Sequence, residues 1–546
     1  MDFRKKETKK GINADDARRR RAETTTQLRK DKKEEGVAKR RNLLVNNFTD
    51  PNLANVSSTE ASNVTGVSQS DASKGHSVSD IPILMQKMQT SDVAQQISAL
   101  RGFRRLLSTE RNPPVQQCID CGAIPMFVSF LQRADNVELQ FEAAWALTNI
   151  ASTDRTRLVV ECGAIPYMVQ LLRSPNPDVR EQSAWCLGNV AGDGAELRDV
   201  ALACGALSPL VANVAQPANI TLLRNCTWAL SNFCRGKPQP HINSLTEALP
   251  VLGAIINSKT DQETTIDATW ALSYISDGDN ARIQHVVNQG VISSLVSMLG
   301  CGKATVIVPS LRTLGNIVSG SDAQTQAVVE ANVLPALVAL LPHSKKNIRK
   351  EACWMLSNIA AGNADQLNLL VNTPDLISNV LSQLSASAEW DVRKEATWIV
   401  SNIATGGSKA HINRLIEHGV VRPLCDLLDV GEVRILIIAM EALEAILKSA
   451  RDTTALVQMI EESEGIDKLE TLQEHENQEV YDKAVKIIEK YFGGEEEEGE
   501  SENAAPVVGS NGTYAFGMPA TSFDRAATKV AGTFEAAPTQ VYDFGF

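Results

Sequence analysis

The sequence predicts an all-α, right-handed solenoid of about ten stacked helical units, with a flexible basic segment before it and a disordered acidic tail after it. Three observations carry that expectation. Six of the seven tryptophans stand at 145, 185, 228, 270, 354 and 398, spaced by 40, 43, 42, 84 and 44 residues, and 84 is two periods of 42. A glycine-centred tag recurs in the same phase: Cys121-Gly-Ala-Ile-Pro, Cys162-Gly-Ala-Ile-Pro, Cys204-Gly-Ala-Leu, Gln289-Gly-Val-Ile and Glu417-His-Gly-Val-Val. Segments just after the tag, such as Tyr167-Met-Val-Gln-Leu-Leu and Leu334-Pro-Ala-Leu-Val-Ala-Leu-Leu, have the i, i+3, i+4 apolar spacing of buried helices.

A period of 40–47 residues made of helical segments is the mark of armadillo or HEAT units. A body of about 413 residues holds about ten of them. Within a unit, the glycine ends one helix where a left-handed backbone is cheap, and the following proline suits the first turn of the next. The tryptophan segment is the last helix of its unit. One rung lacks its tryptophan: Arg312 stands 42 residues from both Trp270 and Trp354. Only Trp390 falls outside the series.

At 546 residues the chain is too long for a single compact core. Hydrophobic residues at 43% are too many for wholesale disorder. The charged N-terminus argues against a secretory signal, and the apolar stretch Val433 to Met440 is too short to span a bilayer. Ten scattered cysteines read as reduced core residues of an intracellular protein. The net charge of −12 divides unevenly, since residues 1–41 carry +8 and residues 461–502 carry −12. Four regions follow: a basic segment over 1–45, a flexible Ser/Asn/Thr-rich linker over 46–78, the repeat body over 79–492, and a tail over 493–546.

The tryptophans have a companion four residues on. The pairs are Trp145/Asn149, Trp185/Asn189, Trp228/Asn232, Arg312/Asn316, Trp354/Asn358 and Trp398/Asn402, while Trp270 meets Tyr274. Spacing of i, i+4 puts both side chains on one helix face. A lone tryptophan at such a place is ordinarily core, and a lone asparagine ordinarily caps or bridges repeats. Six copies in phase point instead to a lined groove. A carboxamide can pair with both N–H and C=O of an extended peptide, and parallel indoles form slots for lysine or arginine stems. Such a peptide advances about 3.3–3.6 Å per residue, so one rung meets about every third residue. Acids in phase, Glu142, Asp267, Glu351 and Glu395, lie three residues before the ladder positions, and Asp193 follows Asn189. Arg235 and Arg312 place positive charge between the two tryptophan runs, so two basic clusters joined by a spacer fit best.

These motifs resemble importin α, the armadillo adaptor of nuclear import. The resemblance rests on Trp145-Ala-Leu-Thr-Asn-Ile, Trp185-Cys-Leu-Gly-Asn-Val-Ala-Gly-Asp-Gly, Trp228-Ala-Leu-Ser-Asn-Phe-Cys-Arg and Lys350-Glu-Ala-Cys-Trp-Met-Leu-Ser-Asn-Ile. Arg18-Arg-Arg-Arg, Leu28-Arg-Lys-Asp-Lys-Lys and Lys39-Arg-Arg-Asn-Leu resemble that family's importin-β-binding segment. It implies a major site for nuclear localisation signals at Trp145, Asn149, Thr156, Gln182, Trp185, Asn189, Asp193, Trp228, Asn232 and Trp270. It implies a minor site at Arg312, Asn316, Glu351, Trp354, Asn358, Glu395, Trp398 and Asn402. Importin β would engage Arg18, Arg19, Arg20, Arg21, Arg29, Lys30, Lys32 and Lys33. Lys39, Arg40 and Arg41 would occupy the groove as a tethered competitor when importin β is absent. The resemblance further implies cargo proteins, an export receptor at the acidic end, indirect contact with the nuclear pore, and shuttling between cytoplasm and nucleus. Thr153 stands where the family usually has glycine, which shortens the turn after Trp145's helix.

Other classes fit less well. The seven histidines form no metal or nucleophile motif, Gly300-Cys-Gly-Lys303-Ala lacks the Ser or Thr of a phosphate loop, and Cys118-x-x-Cys121 has no second pair. No enzyme, metal or cofactor is expected. A generic armadillo scaffold in signalling or adhesion, binding acidic partners, calls for a basic groove, opposite to the phased acids. A nucleic-acid-binding arm over 1–41 has only Phe3 to stack on bases, so neither nucleic acid nor membrane insertion is expected.

Overall fold

The computed structural model describes residues 77–109, 113–450 and 452–492, with the backbone of two short strands, Val507–Val508 and Tyr514–Ala515. The expectations for the basic segment 1–45, for the linker up to residue 76 and for most of the tail fall outside the described residues. Two units divide the chain, Met1–Ile487 and Ile488–Phe546. In the second, the strands pair antiparallel, Val507 opposite Ala515 and Val508 opposite Tyr514.

The first unit is helical throughout its described residues. The period of the chain is written in ten long helices: α1 (Val93–Leu107), α2 (Val137–Ala151), α3 (Pro177–Asp193), α4 (Ile220–Cys234), α5 (Gln262–Ile275), α6 (Ala304–Val318), α7 (Lys346–Ala360), α8 (Trp390–Gly406), α9 (Val433–Ser449) and α10 (Gln478–Tyr491). Polar caps start several of them. Asn136, Asn176, Asn219 and Asp261 each accept from backbone N–H groups of the first turn, satisfying donors that have no partner within the helix. Successive long helices from α1 to α9 pack side by side. Leu147, Leu187, Leu230, Leu272, Leu314, Leu356 and Val400, two residues past each ladder position, are wholly buried. Each such leucine contributes about 1.5–3 kcal/mol by leaving water.

Shorter helices connect the long ones through a left-handed turn. Gly122, Gly163, Gly205, Gly290 and Gly419 have φ of 75°, 76°, 79°, 65° and 81°. The same turn recurs without glycine at Asn332, Asp375 and Glu464, with φ of 62°, 58° and 57°. One unit departs from the pattern. After α4 the short helix is replaced by a loop and two 3-10 turns, Ile242–Ser244 and Thr246–Ala248. The fully buried Arg198 guanidinium holds that loop, donating to the carbonyls of Arg235 (2.6 Å) and Pro238 (2.9 Å).

Candidate functional site

The ladder asparagines are structural bridges. Asn189 Nδ2 donates to the carbonyl of Thr148 (3.2 Å), Asn232 to Gly188 (3.0 Å), Asn316 to Ser273 (2.9 Å) and Asn402 to Ser357 (2.9 Å). Every acceptor is the residue just before the corresponding polar position on the preceding long helix. Asn149 donates to Ser108 Oγ at the end of α1 (2.9 Å). All six amides, Asn358 included, are buried. A carboxamide has two N–H donors and an acceptor oxygen. One hydrogen tied to the neighbouring helix fixes the orientation of the whole group, so the amides form a row at the repeat spacing.

The indoles follow the same row with uneven exposure. Trp145, Trp185 and Trp270 are partly exposed, whereas Trp228, Trp354 and Trp398 are buried. Two buried rings sit on glycine: a β-carbon at Gly188 would overlap the Trp228 ring, and one at Gly315 would overlap that of Trp354. Trp270 stacks on its own helix neighbour Tyr274, with centroids 5.9 Å apart and planes at 21°. Phe141 meets Trp145 edge-on at 5.5 Å. Burial pushes the Tyr274 hydroxyl pKa up.

The charges are more internally paired than the sequence suggests. Arg312 donates to both carboxylate oxygens of Glu351, Nε at 2.9 Å and Nη2 at 2.5 Å. Burial pulls the Arg312 pKa down, and the Glu351 carboxylate more than offsets it, leaving the arginine more basic than usual. Glu142 is buried too, with Arg104 Nε 2.8 Å away and Arg101 Nε at 3.4 Å. Burial raises the Glu142 pKa against the pull of both arginines. Arg312 and Glu351 therefore meet each other across two rungs. Asp193 ends α3 and is exposed, Glu395 is partly exposed, and Asp267 is buried.

Thr156 and Gln182 are both buried. The Thr156 hydroxyl lies 2.9 Å from the carbonyls of both Ala151 and Thr153, closing the turn after α2. That turn is short: α2 ends at Ala151, Thr153 Oγ1 donates to Ile150 O (2.7 Å), and the next helix starts at Thr156. No cluster of three or more potential metal ligands occurs among the described residues. All ten cysteines are free, and burial pushes the Cys186 and Cys234 thiols up to about 12.

Two features escaped the sequence reading although their phase was visible. Three residues after each ladder position stands a small residue: Thr148, Gly188, Ser231, Ser273, Gly315, Ser357 and Ser401. Thr148, Gly188, Ser273 and Ser357 give the next rung a carbonyl, and Gly188 and Gly315 give it a seat. Arg104, 41 residues before Trp145, occupies the ladder position of α1 and lies over the Trp145 ring, 4.1 Å from the centroid.

Comparison with known proteins agrees with this architecture. The model described as "Importin beta binding domain" matches residues 4–101, and "Armadillo/beta-catenin-like repeat" matches 111–152, 152–192, 279–319 and 321–361. An "Atypical Arm repeat" matches 455–507. Importin subunit alpha-1b of Oryza sativa subsp. japonica is 45% identical over 77% of this chain and 80% of its own length. Importin subunit alpha-4 of Arabidopsis thaliana is 45% identical over 91% and 93%. Among solved structures, an engineered protein is 26% identical with a TM-score of 0.68, covering 75% of this chain and 98% of its own.

Proposed function

The chain belongs to the importin subunit alpha family, and from that premise we propose that it is a nuclear import adaptor carrying basic cargo signals on the ladder. The observation that carries this reading is the row of oriented amides, Asn149 to Asn402, repeated beside the indoles. In this reading, the second amide hydrogen and the amide oxygen of each rung hold the backbone of an extended peptide. Trp145 and Trp185 receive lysine or arginine stems, worth about 0.5–2 kcal/mol each by cation–π attraction. Trp228, Trp354 and Trp398 serve as buried walls of their slots. Asp193, exposed at the end of α3, takes the principal lysine as a charge-assisted pair. The second run, Trp354 to Trp398 with Glu395, takes a second basic cluster, and Trp270 lies between the runs. The role assigned to Thr156 and Gln182 is to shape the first site from beneath.

Residues 1–45 bind importin β in this account, in keeping with the domain match over 4–101. Without importin β, Lys39, Arg40 and Arg41 compete for the same ladder on their tether. The protein then shuttles: importin β leaves in the nucleus, the cluster returns, and cargo is expelled. An export receptor would use the acidic end, and contact with the pore would be indirect. The family is one of transport adaptors, and no enzymatic role is assigned.

The test is nuclear accumulation of a fluorescent cargo bearing a lysine-rich signal in permeabilised cells. Accumulation requiring both this chain and importin β is the expected result. Accumulation with importin β alone would remove the adaptor role.

A further inference from the structure

The tryptophan ladder is closed at its ends by the chain's own cations. Arg104 on α1 stands over Trp145, 4.1 Å from the ring centroid, and Arg434 on α9 lies 5.3 Å from that of Trp398. Neither α1 nor α9 carries a tryptophan. The outermost slot of the first run is thus filled from within, and a basic ligand side chain there would meet a guanidinium.

The neighbourhood of Arg104 differs from its counterpart at Arg312. Both arginines occupy ladder positions, and both meet a glutamate three residues before the next one, Glu142 and Glu351. Arg312 makes two well-formed hydrogen bonds to Glu351. Arg104 Nε lies 2.8 Å from Glu142 Oε2, but the pair has no hydrogen-bonded geometry, and both atoms are buried with no other hydrogen-bond partner among the described residues. Arg101 and Arg105 add positive charge beside Arg104, and Arg101 is shared with Glu138 and Glu142. Arg101 and Arg104 pair with the two carboxylates and Arg105 adds a third positive charge beside them, so this corner suits a further carboxylate.

We propose that Arg104 is a specificity-determining end stop, selecting cargo segments in which an acidic residue directly flanks the basic cluster on the side that runs past Trp145. The inference rests on the groove reading above and deepens it. A lysine at that flank meets net positive charge. An aspartate or glutamate there meets the positive charge of Arg101, Arg104 and Arg105 with the opposite sign, while the cluster itself fills the slots further along.

The experiment uses the full chain and three fluorescent peptides sharing one lysine-rich cluster: neutral flanks, an acidic residue before the cluster, and an acidic residue after it. Competition from the chain's own basic segment affects all three alike, so ratios of affinity are the readout. One acid-flanked peptide is expected to bind on the order of fivefold more tightly than the neutral one, as for a partly exposed ion pair. In the variant R104Q/E142Q, which removes both charges together, that ratio should fall to about one. Should the double variant fail to fold, Arg104→Lys keeps Glu142 paired but loses the planar fork, and the ratio should at least halve. No gain at either flank, or a gain that survives both variants, overturns the end stop. Failure of the neutral peptide to bind the wild-type chain overturns the groove reading, and the end stop with it.

Discussion

The indole of Trp228 lies where any β-carbon on Gly188 would stand, so the rung on α4 is seated directly on the backbone of α3. The residue after Gly188 is the ladder asparagine of α3, and the Gly188 carbonyl accepts from Asn232. One glycine thus seats both members of the next rung. Two opposing effects decide what Gly188→Ala does. Alanine favours a helix interior over glycine by about 1 kcal/mol, whereas overpacking a full interior costs about 1–3 kcal/mol. The overlap involves a rigid ring, so net destabilisation is expected, and denaturant titration measures it. Gly315→Ala should displace Trp354 in the same way and weaken a peptide confined to the second run.

The Arg312–Glu351 pair gives a sharper test of energetics. Glu351→Ala leaves a largely buried guanidinium without its bidentate partner, at an expected cost of about 3 kcal/mol. The double replacement R312M/E351L removes both charges and should lie far closer to wild type, because two desolvation costs disappear with the pair. Equal losses in the single and double variants would show that shape, not charge, holds these rungs.

Glu181 supplies a pH dependence. Burial, with Asp178 nearby, raises its pKa from 4.5 to about 7, against a hydrogen bond from Asn225. Because the folded-state value exceeds the ordinary one, ionising Glu181 opposes folding. The penalty is absent below about pH 4.5 and complete above about pH 7. Glu181→Gln keeps an acceptor for Asn225 and removes the penalty. After discounting for partial exposure, it should stabilise the protein by about 1–2 kcal/mol at pH 8 and by almost nothing at pH 4.5. Thermal denaturation of both proteins across that range checks the slope.

Asp193 separates binding from folding. It is exposed at the C-terminal end of α3, where a cation is favoured by the helix dipole. Asp193→Lys should therefore not lower the melting temperature, while abolishing binding of a lysine-rich peptide. Retained affinity would remove the role assigned to this carboxylate.

Repeat number and the ladder helices were legible because one physical demand recurs every 42 residues or so. The turn at Gly122 or Gly163 announces itself, since glycine is the cheapest residue at positive φ. Asn332, Asp375 and Glu464 make the same turn under tertiary constraint, so no composition marks them. The Trp/Asn pairing was visible, but its first duty was not. An amide that holds the neighbouring helix and one that offers itself to a ligand look alike in sequence. Charge pairing was hidden for a similar reason: Glu142 and Glu351 appear as phased acids, while their arginines sit about 40 residues away on another helix. Lys39, Arg40, Arg41 and the importin-β contacts lie outside the described residues.

The central claim is that the ladder holds a basic peptide and that the chain's own N-terminal cluster competes for it. The most direct measurement is the affinity of a fluorescent lysine-rich peptide for the full chain and for a chain lacking residues 1–75. Tight binding to the shortened chain and clearly weaker binding to the full chain is the predicted result. Equal, tight binding to both would contradict the tethered competitor, and binding to neither would contradict the ladder as a peptide site.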